Sequence, residues 1–264
     1  MDRLILGLVE SDFQGKIAIV SKLSTVISND TPWRGRKNEA HSLAPHIAGL
    51  RSCVIGVLDI QGSVEEHIAA LKKLGLSPIA VKTKSDLDEV DGLIIPGGES
   101  TTIGKLLDLY GLDEEIFKRA SQSVKTSDSK PLAIWGTCAG AILIAKKVTN
   151  RPPQNLPLVD IEMERNSYGR QLDSFETEIS APEVSPKPIP AVFIRAPQIK
   201  RASPKAKVLA QYGGKPVMVR QGVFLATTFH PELTNDLSVL SYFIKITGEN
   251  ASKKEPEGCA KRAH

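Results

Sequence analysis

From Cys53 onward the chain alternates continuous apolar runs with amphipathic ones. "CVIGVLDI" is the unbroken apolar pattern of a strand covered on both faces. "SVEEHIAALKKLG" follows, with Val64, Ile68 and Leu71 on one helical face and Gly75 as the stop. "SPIAVK" predicts a second strand, and "VDGLIIPGG" a third that ends in a glycine turn. "ESTTIGKLLDLYGL" opens a helix with Ser100 to Thr102 as capping candidates. "PLAIWG" is the fourth strand, and a helix starts at Ala139 with Lys146 and Lys147 at its end. Buried-type strands alternating with helices predict an α/β fold with a doubly wound, mostly parallel sheet.

Beyond Asn150 the pattern turns β-rich, through "LVDIEMERN", "QLDSFETEI", "AVFIRAPQI", "KVLAQYGG" and "KPVMVRQGVFLATTFHPEL". The proline-rich "SAPEVSPKPIP" reads as a loop, and "NDLSVLSYFIKITG" as a closing helix. The division expected is an extension over 1–51, a domain over 52–248 and a disordered, charged tail over 249–264. Within the extension, Asp2, Glu10 and Asp12 interrupt the early apolar stretch and disfavour a cleaved signal peptide. An organelle transit sequence is disfavoured by the same acids, but Arg34, Arg36 and Lys37 keep it open.

Composition narrows the class. The 264 residues are 41% hydrophobic and 24% charged, with a net charge of only +4. Few aromatics interleave with the basic residues, so nothing supports a nucleic-acid surface. No apolar run approaches the roughly 20 residues of a membrane span. The three cysteines, Cys53, Cys138 and Cys259, are far apart and form no CxxC pair. Neither a zinc ribbon nor a disulfide framework is indicated, and a reducing cytoplasm is the expected compartment. No metal cluster or cofactor fingerprint is present, so no cofactor is expected.

The candidate chemistry starts at Gly136-Thr137-Cys138-Ala139-Gly140. Glycine two before and two after a nucleophile is the pattern of a sharp strand-to-helix turn that exposes the side chain. The helix that follows directs its N-terminal amides toward the thiol and favours the thiolate. The alternative is a small buried cysteine at a tight turn. A cysteine nucleophile needs a base, and "GVFLATTFHPEL" delivers His230 from a strand end, with Glu232 two residues on to orient it. An unrelated acid beside a strand-end histidine remains the other reading. His67 is expected to be a solvated or partly buried helix histidine. In "IIPGGESTT", Gly97-Gly98 offers backbone amides to an oxyanion. A phosphate loop would use the same amides, but neither the Walker pattern nor GxGxxG is present.

"PGGES", "GTCAG" and "FHPE", in this order, resemble a class I (triad-type) glutamine amidotransferase. More narrowly, "GVLDIQGSVEEHIAAL", "ERNSYGRQLDSFE", "VFIRAP" and "FHPELTND" are similar to the glutaminase subunit family of pyridoxal 5′-phosphate synthase. The family pattern usually reads Leu-Gln-Gly where this chain has Asp59-Ile60-Gln61-Gly62, so Asp59 departs from it while Gln61 and Gly62 are kept. The resemblance implies a flavodoxin-like fold, Cys138 as nucleophile, and His230 and Glu232 as the rest of a triad. It implies that Gly98, Glu99 and Ser100 hold L-glutamine and supply the oxyanion amide, with Gly97 and Gln61 beside it at the oxyanion turn or the partner interface. Arg165 and the pair Ile194-Arg195 would meet the amino-acid end of glutamine. An arginine suits a carboxylate through a two-pronged hydrogen bond.

The implied partner is a (β/α)₈ synthase, assembled with this chain in a large hetero-oligomer. A chain of 264 residues is too short to contain that barrel beside its own domain. Gly97-Gly98 is also expected to flip its peptide at little steric cost, which would keep activity low until the synthase docks. Two other readings stay open: a DJ-1/PfpI-type cysteine hydrolase or chaperone, which the His-Pro-Glu run opposes, and a binding module with a dead site, which the intact Cys138, His230 and Glu232 oppose.

Overall fold

The computed structural model describes residues 53–121, 131–149, 156–165 and 174–252. The extension over 1–51, the whole "NSYGRQ" stretch and the chain beyond Ser252 lie outside the described residues.

The strands with unbroken apolar runs are the centre of the molecule. β1 (Ile55–Leu58), β3 (Gly92–Ile95) and β4 (Ala133–Thr137) are buried along their whole lengths. With β2 (Ile79–Val81), β12 (Phe224–Thr227), β11 (Lys215–Gln221) and β10 (Lys207–Tyr212) they form a seven-stranded sheet, ordered β10-β11-β12-β4-β3-β1-β2. The five strands from β12 to β2 are parallel, and β11 runs against its neighbours. This is the doubly wound α/β class. The chain leaves β1 toward β2 and returns to place β3 on the other side, so a crevice opens beyond the carboxyl ends of β1 and β3.

Side-chain alternation along these strands feeds two cores. Ile55, Val57, Ile94 and Trp135 pack against helices α1 (Val64–Lys73) and α6 (Ser238–Ser252). Leu58, Leu93, Ile95 and Ile134 pack against α3 (Ser100–Tyr110), α4 (Leu112–Ala120) and α5 (Ala139–Ile144) on the other face. A short helix α2 (Lys84–Asp88) starts with Thr83 and Asp86 in a capping box. A three-stranded sheet of β5 (Ala145–Val148), β6 (Val159–Glu164) and β9 (Gln198–Ala202), and a hairpin of β7 (Ser174–Ile179) and β8 (Ile189–Ile194), complete the set.

Several expectations change. The helix from Ala139 does not reach Lys146 and Lys147: it stops at Ile144 and the chain continues as β5. The Ile144 carbonyl accepts the Leu158 amide instead of one from the next helical turn. The two lysines then pair with Asp160 and Glu162 across the small sheet. The closing helix α6 continues to Ser252, past the expected boundary at 248. "KPVMVRQGVFLATTF" is not one strand: it folds back at Gly222, where φ is +60°. "AVFIRAPQI" divides likewise, at Arg195.

Candidate active site

Cys138 sits where β4 ends and α5 begins, at φ 47° and ψ −99°. Backbone at positive φ strains a residue with a Cβ by about 1–3 kcal/mol, and the neighbours hold it there. The Cys138 amide donates to the Thr227 carbonyl at 2.8 Å, and its carbonyl accepts the Ile142 amide at 3.3 Å. The flanking glycines allow helix and sheet to touch. A Cβ on Gly136 would lie 2.5 Å from the Gly140 backbone, and one on Gly140 would lie 2.0 Å from the Ile95 carbonyl oxygen. The elbow read from the glycine spacing is therefore a backbone-on-backbone contact.

In register, Thr227 on β12 lies beside Thr137 on β4, so the two strands end together. The chain past β12 brings His230 over the elbow, held by its amide on the Val192 carbonyl of β8 at 2.8 Å. The Cys138 side chain lies close enough to His230 to act on the charge of the ring. Its Nδ1 lies 2.7 Å from Glu232 Oε1. Pro231 starts a 3-10 turn that folds Glu232 back under the ring. Burial opposes a proton on His230, but the charges of Glu232 and Cys138 outweigh it and raise its pKa well above the ordinary value. Burial also opposes the Glu232 charge; both histidines, once protonated, and the hydrogen bond from His230 hold that carboxyl down at about 2. An imidazolium facing the Glu232 carboxylate is the charge state these neighbours favour.

Two partners of Glu232 escaped sequence reasoning. Ser63, at the N-cap of α1, makes no capping bond with its side chain and instead donates its hydroxyl to Glu232 Oε1 at 2.8 Å. His67 is not solvated: it is 1% exposed, with Nε2 3.6 Å from Glu232 Oε2. The available signal was helical spacing, because His67 falls between Val64 and Leu71 on the buried face of α1.

The Gly-Gly turn lies against this chain of side chains. A Cβ on Gly97 would fall 2.4 Å from His230 Cε1. The Gly97 carbonyl accepts the Ser63 amide at 3.0 Å, and Gln61 Oε1 accepts the Glu99 amide at 2.9 Å. Gln61, Gly97, Gly98 and Glu99 are thus one cluster beyond β1 and β3. Glu99 caps α3 through the amides of Thr101 and Thr102, at 3.1 and 2.7 Å. Burial works against its charge, yet these donors and the threonine hydroxyls bring its pKa to about 2. Arg165, at the end of β6, reaches across to Glu99 Oε1 at 3.1 Å. Ser100 is buried, and its hydroxyl has no hydrogen-bond partner. Ile194 ends β8 and Arg195 follows it, exposed and at φ 41°. Asp59 pairs with the exposed Lys82 at 3.1 Å, so the unusual residue points its charge to the surface. Among the described residues no group of His, Cys, Asp or Glu is arranged to hold a metal, and no helix is long and apolar enough to cross a membrane.

The family model of the SNO glutamine amidotransferase family matches residues 57–249. The chain belongs to that family. Among its SNO-family relatives, the pyridoxal 5'-phosphate synthase subunit PdxT of Thermotoga petrophila is 46% identical over 192 residues, 73% of this chain and 98% of the relative. The protein of the same name from Oenococcus oeni is 49% identical over 196 residues, 74% of this chain and 97% of the relative. A crystal structure of a glutamine amidotransferase superposes with a TM-score of 0.68 at 43% identity, covering 74% of this chain and 99% of that one. The structure of PurLQS from Thermotoga maritima, at 16% identity and a TM-score of 0.53, shares the fold.

Proposed function

We propose that this SNO-family chain is a glutaminase that hydrolyses L-glutamine to glutamate and ammonia and passes the ammonia to a separate pyridoxal 5′-phosphate synthase subunit. The observation that carries the chemistry is His230 held on Glu232 at 2.7 Å with Cys138 beside its ring, at the carboxyl ends of β4 and β12. Cys138 Sγ attacks the side-chain amide carbon of glutamine, and the carbonyl oxygen takes the negative charge. An amide at the Gly97-Gly98 turn receives that oxyanion. His230 gives its proton to the departing nitrogen, and ammonia leaves a glutamyl thioester. His230 then takes a proton from water, which attacks the thioester and frees glutamate and the thiol. Glu232 keeps the imidazole oriented and stabilises its cation.

Substrate recognition follows from charge. Glutamine carries a carboxylate and an ammonium beyond its amide. Arg165 offers a guanidinium, and Glu99, ionised above about pH 2, offers an opposite charge beside it. Gly98 belongs to the turn and Ser100 opens α3 next to Glu99, while Ile194 and Arg195 follow Val192, whose carbonyl holds His230. The relatives are named as subunits of a pyridoxal 5′-phosphate synthase, which supports a synthase partner; a (β/α)₈ subunit in a large hetero-oligomer is what the family resemblance implies. The cytoplasm is the compartment that suits the free thiols Cys53 and Cys138.

The test is ammonia release from glutamine by the full chain with saturating synthase. Cys138→Ala should abolish it while the fold and synthase binding persist, since the side chain, though buried, belongs to neither hydrophobic core. Undiminished release by that variant would refute the assignment. The same assay without synthase should give a far lower kcat, because an oxyanion amide that points away costs roughly 10²–10³ in rate, and turning the Gly97-Gly98 peptide breaks the bond between the Gly97 carbonyl and the Ser63 amide. Equal values would reject the gated turn and leave the triad standing.

A further inference from the structure

Helix α1 carries a histidine that glutamine hydrolysis does not require as nucleophile, acid or base. His67 is buried, its ring meets Trp135 edge to face at 5.5 Å, and its Nε2 has two neighbours. Thr137 Oγ1 lies at 3.3 Å and Glu232 Oε2 at 3.6 Å. The charges choose the tautomer: a lone pair on Nε2 would face a carboxylate, whereas an N–H is drawn to it. Burial favours the neutral ring, against the pull of Glu232. Nε2–H therefore donates to the Thr137 hydroxyl and turns its positive end to Glu232.

The Glu232 carboxylate needs that dipole. Its side chain is wholly buried, and Oε1 takes both of its hydrogen bonds, from His230 and Ser63. Oε2 has no hydrogen-bond partner. A buried carboxylate oxygen without a donor is costly, and the carboxylate is free to turn toward one elsewhere or to take up a proton.

We propose that His67 is a positioning residue that links Glu232 Oε2 to Thr137, the residue before the nucleophile, and so fixes the carboxylate that orients His230. The proposal rests on the reading of Cys138, His230 and Glu232 as a triad. Groups facing the His67 ring that titrate are Glu232 and His230, and Cys138 faces His230 from the elbow. Without the Nε2–H, Glu232 holds the His230 cation less firmly, and the imidazolium–thiolate pair forms only at higher pH.

The experiment compares His67→Met with His67→Gln in the full chain. Both replacements are unbranched helix formers of similar size, and only Gln keeps an N–H at the reach of Nε2. The readout is the rate of Cys138 alkylation by iodoacetamide against pH, with peptide mass spectrometry separating Cys138 from Cys53 and Cys259. For H67M the pH of half-maximal alkylation should rise by about one unit, a tenfold loss of reactivity at the foot of the curve. With synthase, kcat for glutamine should fall about tenfold while KM stays within twofold. H67Q should recover most of both, to within about threefold of the parent. An unshifted H67M profile, or an H67Q profile no better than that of H67M, overturns the proposal. Alkylation needs neither glutamine nor synthase. A parent chain that fails to hydrolyse glutamine would refute the proposed function while this comparison could still be read.

Discussion

Gly140→Ala tests whether the elbow is as tight as the geometry states. The new Cβ would lie 2.0 Å from the Ile95 carbonyl oxygen and 2.8 Å from its carbonyl carbon, and real Cβ atoms stay beyond 3.0 Å. At least 1 Å of movement is needed. Ile95 cannot supply it, because β3 is paired on both sides, to β1 and β4, in the middle of the sheet. The start of α5 must lift instead, and Cys138 moves with it. Overpacking of this kind costs about 1–3 kcal/mol, and a misplacement of about 1 Å at reacting atoms costs on the order of 10² in rate. We expect kcat for glutamine, with synthase present, to fall about a hundredfold. Thermal unfolding should drop by several degrees, at about 2–4 °C per kcal/mol for a domain of this size. Gly75→Ala is the control. Its φ is +77° and nothing lies within 4 Å of the added Cβ, so it should lose about 1 kcal/mol through backbone strain and keep the parental kcat. A G140A protein with parental kcat would refute the tight elbow as the device that holds Cys138.

Glu232→Gln should lower kcat by 10³ or more, as loss of the orienting charge does in other triads. It should also remove an acid-sensitive part of the stability. The folded pKa of Glu232 is about 2 against 4.5 for an ordinary glutamate, so its contribution is complete above pH 4.5 and is lost as pH falls toward 2. Between pH 5 and 2 the parent should lose more stability than E232Q, by on the order of 3 kcal/mol, in urea titrations at each pH; parallel curves would reject the depressed value. Arg165→Met should raise KM for glutamine at least tenfold with little change in kcat, and an unchanged KM in steady-state assays would remove Arg165 from the substrate site. Because the Arg165–Glu99 pair is partly exposed, its loss should change stability by less than 1 kcal/mol.

The chemistry was legible wherever it lay in a short stretch of chain. Two glycines around Cys138 announce a corner without room for side chains, and His230-Pro231-Glu232 holds an imidazole and its carboxylate partner within three residues. The unbroken apolar runs of β1, β3 and β4 announce a sheet covered on both faces, since only such strands lack a polar side. The failures have the same physical root. The end of α5 at Ile144 is set by an amide from Leu158, beyond any local window. The two turns that split the β-rich runs depend on which strand each half pairs with.

What the sequence by itself determined is the α/β order and the two short stretches that carry Cys138, His230 and Glu232, with the glycines the corner requires, because periodicity and backbone sterics act over a few residues. What only the tertiary structure decided is how distant segments meet. Gln61 follows β1 and Glu99 follows β3, yet one accepts the other's amide because those strands are neighbours in the sheet. Arg165 meets Glu99 from a different sheet. Ser63 and His67 reach Glu232 across more than 160 residues of chain. No local pattern marks a serine at a helix start or a histidine on a helix face as the support of a carboxylate. That role exists only where packing removes water and leaves the charge to whatever donors the fold brings within reach.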